Sequence, residues 1–307
     1  MRKRTMKSGP KVAVVIKRTT YRKFIVERHD PVVTRLLRSR DPTVARLKAS
    51  HEAHEQTVAE VDRALAVLGA EVIFRGGVRA CIPNGVDLVV TVGGDGTLLS
   101  ASHQIGDSVP LLGINSAPET SVGFFCGAKK GSVQAELELA LKGKLPATRL
   151  SRMRVEYNGK LLHGRVLNEA LFCHASPAAT ARYILRIEHA SGRYEEEDQR
   201  SSGLWIGPAA GSTAAQRSAG GDVLALTSEQ IQYVVREPYM LAGAHVHLRV
   251  GLLGTHSQIV IHSRMREAKV FIDGHRIAHA ITIGDVLSMR RSDERLIVLG
   301  IATKRRK

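Results

Sequence analysis

Aromatic residues are scarce in this 307-residue chain: they make up 4% of it, with one tryptophan. So few rings exclude an extended platform for stacking nucleic-acid bases. Long apolar runs are also missing; none approaches the ~20 residues that a membrane span requires, so no membrane association is expected. Cysteine is limited to Cys81, Cys126 and Cys173. The count is odd and no pair has the spacing of metal ligands, which suits a reducing, cytoplasmic setting. All three are expected as core thiols. No apolar stretch follows the basic start of the chain, residues 1–11, so no secretory signal is expected, and a transit peptide is the weaker alternative.

Acidic residues are outnumbered, 29 against 45 Lys and Arg, which leaves a formal charge of +16. That field favours anionic partners: nucleotides, polyphosphate or nucleic acid. Much of the charge sits in residues 1–11 and 304–307, where basic tails are usually solvated, so specific nucleic-acid recognition is not expected.

What remains is an ordinary globular composition, 43% hydrophobic and 24% charged, long enough for two domains. Val12–Ile16 predicts a first strand and residues 17–42 a polar, basic loop with some helix. From Thr43 to Leu68 apolar residues recur at three- and four-residue steps, and Gly69 closes the pattern: a long amphipathic helix with a glycine C-cap. His51 and His54 lie on that face and read as helix-surface or satisfied core histidines. Glu71–Phe74 predicts a second short strand, Asp87–Val92 and Val109–Asn115 predict buried strands, and Thr97–Gln104 predicts the start of a helix. This alternation predicts an open α/β sheet. Val133–Leu141 predicts a short helix. Beyond Pro146 the texture becomes mainly β, with strands at Arg152–Tyr157, Lys160–Phe172, Tyr183–His189, Val246–Val250, Gln258–His262, Ala268–Ile272 and Val286–Arg290. Leu296–Ile301 is a last apolar run, expected to return to the first domain.

The most informative stretch follows the Asp87–Val92 strand: Gly93-Gly94-Asp95-Gly96-Thr97. Three glycines cost backbone entropy and mark a place where backbone approaches something closely. At the end of a parallel strand that something is usually a ligand, and turn amides leading into a helix form an anion cradle. A carboxylate inside such a cradle makes sense if Asp95 accepts a proton or meets a metal while phosphates lie on the amides.

Three further stretches look functional. Asn115 ends a strand on the same edge as Asp95, and Phe124, after a glycine, is placed to lie against a planar ring, with core burial of Phe124 or Phe125 as the alternative. Asn168-Glu169 interrupts an apolar strand; burying that pair without partners is expensive, and sugar hydroxyls or a base amide are natural partners. The segments Arg200-Ser201-Ser202-Gly203, Gly211-Ser212-Thr213-Ala214 and Ser218-Ala219-Gly220-Gly221 place hydroxyls among small residues, a pattern able to sit close to a ligand.

Together, over about residues 87–275, these motifs resemble the NAD kinase family in order and spacing. The first turn is shared with lipid kinases and phosphofructokinases; the second and third motifs are not. Residues 200–204, 209–215 and Tyr233–Pro238 are similar to the plant-type NADH kinase branch. The resemblance implies a Rossmann-like α/β domain (residues 1–126) and a β-sandwich-like C-terminal domain (residues 127–290). Residues 291–307 form a returning strand and basic tail. It implies an active site in the cleft between the domains, and a homodimer or homotetramer. It implies transfer of the γ-phosphoryl of ATP, or of phosphate from polyphosphate, to the 2′-hydroxyl of the adenosine ribose of NAD⁺ or NADH. Asp95 is then the base. Gly93, Gly94, Gly96, Thr97, Asn115, Phe124, Asn168, Glu169, Arg200, Ser202, Gly211, Ser212, Thr213, Ala214, Ser218 and His275 are expected to contact nucleotide. Mg²⁺ or Mn²⁺ is carried mainly by the triphosphate, since this ion needs few protein ligands.

The chain departs from the commoner bacterial pattern at Ser202, Ala210, Ala215 and His275. These changes remove a carboxylate, a hydroxyl, an aromatic ring and a glutamine, and leave a pocket compatible with neutral NADH. The rival readings are a lipid or sugar kinase with the same glycine turn, a catalytically silent dinucleotide-binding regulator, and a basic nucleic-acid-binding module.

Overall fold

The computed structural model describes residues 9–239 and 246–302. Most of the basic start and all of the basic tail lie outside these residues. The chain divides into two compact units, one running to Thr148 and including Ile297–Ala302, the other Arg149–Leu296.

The first unit contains β1 (Lys11–Ile16), α1 (Pro31–Arg38), α2 (Leu47–Val67), β2 (Glu71–Gly77), β3 (Leu88–Gly93), α3 (Asp95–Ser102), β4 (Leu111–Asn115), β5 (Cys126–Lys129) and α4 (Val133–Leu141). The strands are parallel in the order β4-β3-β1-β2, with β5 beside β4. β3 and β4 are buried along their whole length, as expected of parallel strands covered on both faces. α2 turns Val58, Val61, Ala64 and Leu65 onto the core formed by Val12, Val14, Val90, Val92 and Ile114. It stops at Leu68, and Gly69, at φ +66°, takes the left-handed position just beyond. From the central β1 the chain goes to β2 on one side and crosses back to β3 on the other. The C-terminal ends of β1 and β3 therefore flank a switch point, the place where open α/β sheets bind ligands.

The expected boundary at 126 falls inside this unit. β5 pairs with β4, and Val133 and Leu137 of α4 join the same core, so the unit continues to Thr148. Residues 17–42 fold into a wide helical turn over Arg22–Glu27 and α1, and neither buries a residue.

The second unit contains β6 (Ala147–Tyr157, whose first residues belong to the first unit), β7 (Lys160–Val166), β8 (Ala170–His174), β9 (Ala181–Glu188), β10 (Tyr194–Ser201), β11 (Gly203–Pro208), α5 (Ala215–Ser218), β12 (Ile231–Arg236), β13 (Val250–Leu253), β14 (Gln258–Ser263), β15 (Ala268–Ile272), β16 (Ile277–Ile281) and β17 (Val286–Leu299). One sheet runs β10-β9-β14-β17, continued by β6 and β7; the other runs β13-β12-β11-β8-β15-β16. Alternating residues of both, among them Tyr183, Leu185 and Ile259 from one and Phe172, Leu204 and Val270 from the other, form a single core. The Phe172 and Tyr183 rings meet edge-on at 5.4 Å. This is a sandwich.

Several expectations need correction here. Lys160–Phe172 is not one strand: it breaks at residues 167–169, where the Asp273 carboxylate takes the backbone N–H groups. Val246–Val250 is not a strand up to Val250, because the Glu197 carboxylate accepts the His247 and Leu248 amides. β10, β11, β12 and β16 were not expected. β10 is an edge strand with mostly polar, exposed residues, and β11 is bounded by Gly203 and Pro208. β17 is continuous through residues 286–299, so the return to the first unit begins at Ile297, not at 291; there Val298 pairs with Leu111. Cys81 is exposed rather than a core thiol, and Cys126 and Cys173 are half-buried. Among the described residues no helix is long and apolar enough to cross a membrane.

Candidate active site

In the first unit the glycine turn joins β3 to α3. Gly94 is the N-cap and Asp95 opens the helix. The Asp95 carboxylate accepts two consecutive backbone N–H groups, Phe124 N at 2.9 Å on Oδ2 and Phe125 N at 2.8 Å on Oδ1. A carboxylate oxygen has more than one acceptor position, so Asp95 keeps capacity for a ligand hydroxyl.

The glycines have different causes. A Cβ on Gly93 would lie 2.2 Å from Thr97 Oγ1, and one on Gly94 2.7 Å from Ser121 Oγ; at Gly96 nothing lies within 4 Å. Packing therefore explains Gly93, while at Gly94 the one close atom is a serine hydroxyl that can rotate away. Packing does not explain Gly96, which costs an exposed helix about 1 kcal/mol relative to alanine and leaves open space beside the helix start.

Asn115 is buried at the end of β4. Its amide donates to Ser121 O at 2.9 Å and accepts from Ala117 N at 3.2 Å. Gly123, at φ +65°, packs on it so closely that a Cβ would sit 2.5 Å from Asn115 Nδ2. The loop between β4 and β5 is thus tied at Asn115 and at Asp95. It holds Phe125 in the core, 4% exposed, and Phe124 outward, 58% exposed. Of the two placements open to this pair, the structure puts Phe125 inside and Phe124 out.

Two residues beside this turn were not picked out from the sequence. Ser116 N donates to Gly93 O, and Ser116 Oγ lies 2.9 Å from His54 Nδ1. His54 is buried, and burial pushes its pKa down to about 4, so it is a neutral core histidine. Lys17 follows β1 at the switch point, with its N–H on Val92 O and its Cβ 3.0 Å from where a Gly93 Cβ would be. Its signal was position alone: the residue after the first apolar strand. Cys126 is pushed up to about 12 by burial and by the Asp95 charge, which leaves an unreactive thiol.

In the second unit two loops converge on Asn168-Glu169, the turn between β7 and β8. Asp273, in the β15–β16 turn at φ +48°, accepts the Leu167, Asn168 and Glu169 amides at 2.9, 2.7 and 3.1 Å, and its own N–H donates to Glu169 O. The run after β11 closes from the other side. A Cβ on Gly211 would fall 1.8 Å from Asn168 O, and the Gln216 amide donates to that oxygen at 3.3 Å. Gln216, fully buried, is held in turn by Gln232 at 3.1 Å. Neither glutamine was picked out from the sequence: Gln216 lies in a small-residue run that gives no signal of burial, whereas Gln232 interrupts the apolar strand β12, a signal that was there to read.

This frame leaves two buried oxygens without a partner among the described residues, Asn168 Oδ1 and Glu169 Oε2. Burial, reinforced by the Asp273 charge, pushes Glu169 up to about 7. Ser212 is consumed structurally, donating to Ala209 O and accepting from Leu224 N. Thr213 and Ala214 are half-buried beside Gly211, while Ser218 and His275 are exposed. Arg200 and Ser202 lie before β11, and the Gly211 run follows it. The strand's length, roughly 20 Å, keeps those two out of the Asn168 cluster. Among the described residues no group of three or more His, Cys, Asp or Glu is placed to hold a metal ion.

Comparison with known proteins gives this geometry relatives. The family model described as the ATP-NAD kinase N-terminal domain matches residues 12–145, close to the limits of the first unit. A rice (Oryza sativa subsp. japonica) protein named "Probable NADH kinase" is 37% identical over 220 residues, 66% of this chain and 68% of that one. The NADH kinase of Arabidopsis thaliana is 35% identical over 66% of this chain and 69% of its own. Two solved structures share the fold: an NAD kinase from Archaeoglobus fulgidus in complex with ATP (TM-score 0.66, 21% identity, 94% of this chain and 93% of that one) and yeast NADH kinase complexed with NADH (TM-score 0.67, 16% identity, 97% and 85%). With a glycine turn at the switch point of the first unit, a sandwich in the second and relatives matched at this identity and coverage, the chain belongs to the NAD kinase family.

Proposed function

We propose that this NAD(H) kinase transfers the γ-phosphoryl of ATP to the 2′-hydroxyl of the adenosine ribose, with Asp95 as the group that takes the hydroxyl proton. The observation that carries the assignment is the Asp95 carboxylate at the head of α3, beside the switch point, with spare acceptor capacity. Phosphoryl transfer needs positioning and charge neutralisation more than covalent help. Gly96, free of packing demands, lets phosphate approach the first amides of α3. As the O2′–P bond forms and the bond from phosphorus to the ADP oxygen breaks, the proton passes to Asp95. A magnesium ion held mainly by the triphosphate would neutralise its charge, and the one carboxylate at the phosphate turn, Asp95, fits an ion that keeps phosphate and water ligands.

Phe124 offers its exposed face to adenine. Within the second unit, Asn168 Oδ1 and Glu169 Oε2 are buried acceptors that hydroxyls of a bound dinucleotide would satisfy. Glycines at 207 and 211 let the backbone close on Asn168. NADH is the preferred form in this reading. Two relatives at 37% and 35% identity are named NADH kinases, and the chain has Ser202 and Ala215 where the commoner pattern carries a carboxylate and a ring. Steady-state kinetics with NAD⁺ and NADH, each against ATP and polyphosphate, tests the reading: a higher kcat/KM for NADH with ATP supports it, and equal or higher values for NAD⁺ remove the preference.

A further inference from the structure

We infer that Asp95 is also a positioning residue: its carboxylate latches the exposed Phe124 ring in place, so the charge that drives proton transfer also holds the adenine platform. The inference rests on the reading of Asp95 as base and Phe124 as the stacking face. What is new is that the two act through each other.

The geometry is specific. An aromatic side chain that is 58% exposed has little packing of its own to fix it. Its backbone is fixed instead. Gly123 adopts a left-handed conformation against Asn115, and the next two amides, Phe124 N and Phe125 N, each donate to a different oxygen of Asp95. Hydrogen bonds to an ionised acceptor are about twice as strong as neutral ones, so the grip depends on the carboxylate being charged. Phe125 is anchored independently by the core, which makes Phe124 the residue the latch controls.

A consequence follows for the reaction. When the ribose hydroxyl gives its proton to Asp95, one carboxylate oxygen becomes an O–H and loses strength as an acceptor. The same event that completes transfer loosens Phe124 at the moment the product must leave. When the proton passes on to water, the latch closes again.

Two roles for one aspartate are separable with a ligand that has no 2′-hydroxyl. Binding of 2′-deoxyadenosine 5′-monophosphate is measured by calorimetry to the full-length protein, without ATP. Asp95→Asn keeps one acceptor and turns an N–H toward the other amide. It is expected to weaken binding about tenfold, as is Phe124→Ala, from the loss of a charge-assisted bond or of a stacked base. The double variant is expected to be no weaker than about tenfold, because both changes remove the same platform. Asp95→Ala, lacking both acceptors, is carried through the same cycle in case the asparagine variant fails to fold. Additive losses of about a hundredfold in the double variant, or unchanged binding to the Asp95 variants, overturn the latch. Wild-type turnover of NADH by Asp95→Asn overturns the base assignment instead, so the two failures are distinguishable.

Discussion

Glu169 gives the sharpest prediction about stability. The residue is 8% exposed, its Oε2 has no partner among the described residues, and the charge of neighbouring Asp273 adds to the burial. The group moves from 4.5 in the unfolded chain to about 7 in the folded one. At 1.36 kcal/mol per unit the displacement corresponds to about 3 kcal/mol. The sign follows from proton linkage. The folded state holds the proton more tightly, so the contribution is fully present below pH 4.5, is lost as pH rises through about 7, and stays lost above it. Glu169→Gln keeps the neutral shape and cannot ionise. Its stability relative to wild type should therefore rise between pH 5 and 8.5, reaching as much as about 3 kcal/mol, several degrees in Tm. Thermal melting of both proteins at half-unit pH steps, without ligand, reads this directly. Parallel melting curves across the range, or a variant less stable than wild type at pH 8.5, would refute the reasoning.

The other predictions follow from the same geometry. Asp95→Ala should cost at least about 10²–10⁴-fold in kcat while the far-ultraviolet spectrum is retained. Gly93→Ala should lower Tm, since its Cβ would meet Thr97 at 2.2 Å. Gly96→Ala should leave Tm unchanged or raise it, yet increase KM for ATP. Gln216→Leu strips the Asn168 carbonyl of a donor and Gln232 of an acceptor; it should raise KM for the dinucleotide more than KM for ATP, and an equal rise in both would argue against it. Ala215→Tyr restores the ring of the commoner pattern and should shift the ratio of kcat/KM values toward NAD⁺.

Much of the first unit was legible because its signals are local. β3 and β4 are uninterrupted apolar strands, α2 repeats at helical spacing up to Gly69, and the glycine turn sits where strand meets helix. The second unit was harder to read. An edge strand such as β10 needs no apolar alternation, and strands ending in glycine or proline look like loops. The break at residues 167–169 comes from Asp273, about a hundred positions along the chain, so no local window contains it. The candidate site divides in the same way. Asp95, Asn168 and Glu169 could be named because a carboxylate among glycines, or a polar pair inside a strand, is anomalous on its face. Gln216 and Ser116 act through partners that only folding supplies, and the outward turn of Phe124 depends on two amides meeting one carboxylate.

The central claim is that a single carboxylate accepts the ribose proton during phosphoryl transfer. It is tested most directly by single-turnover phosphorylation of NADH with saturating MgATP, comparing wild type with Asp95→Asn. The predicted result is NADPH formed by the wild type and a chemical step slowed by at least about a hundredfold in the variant. NADPH formed at the wild-type rate by Asp95→Asn would contradict the account.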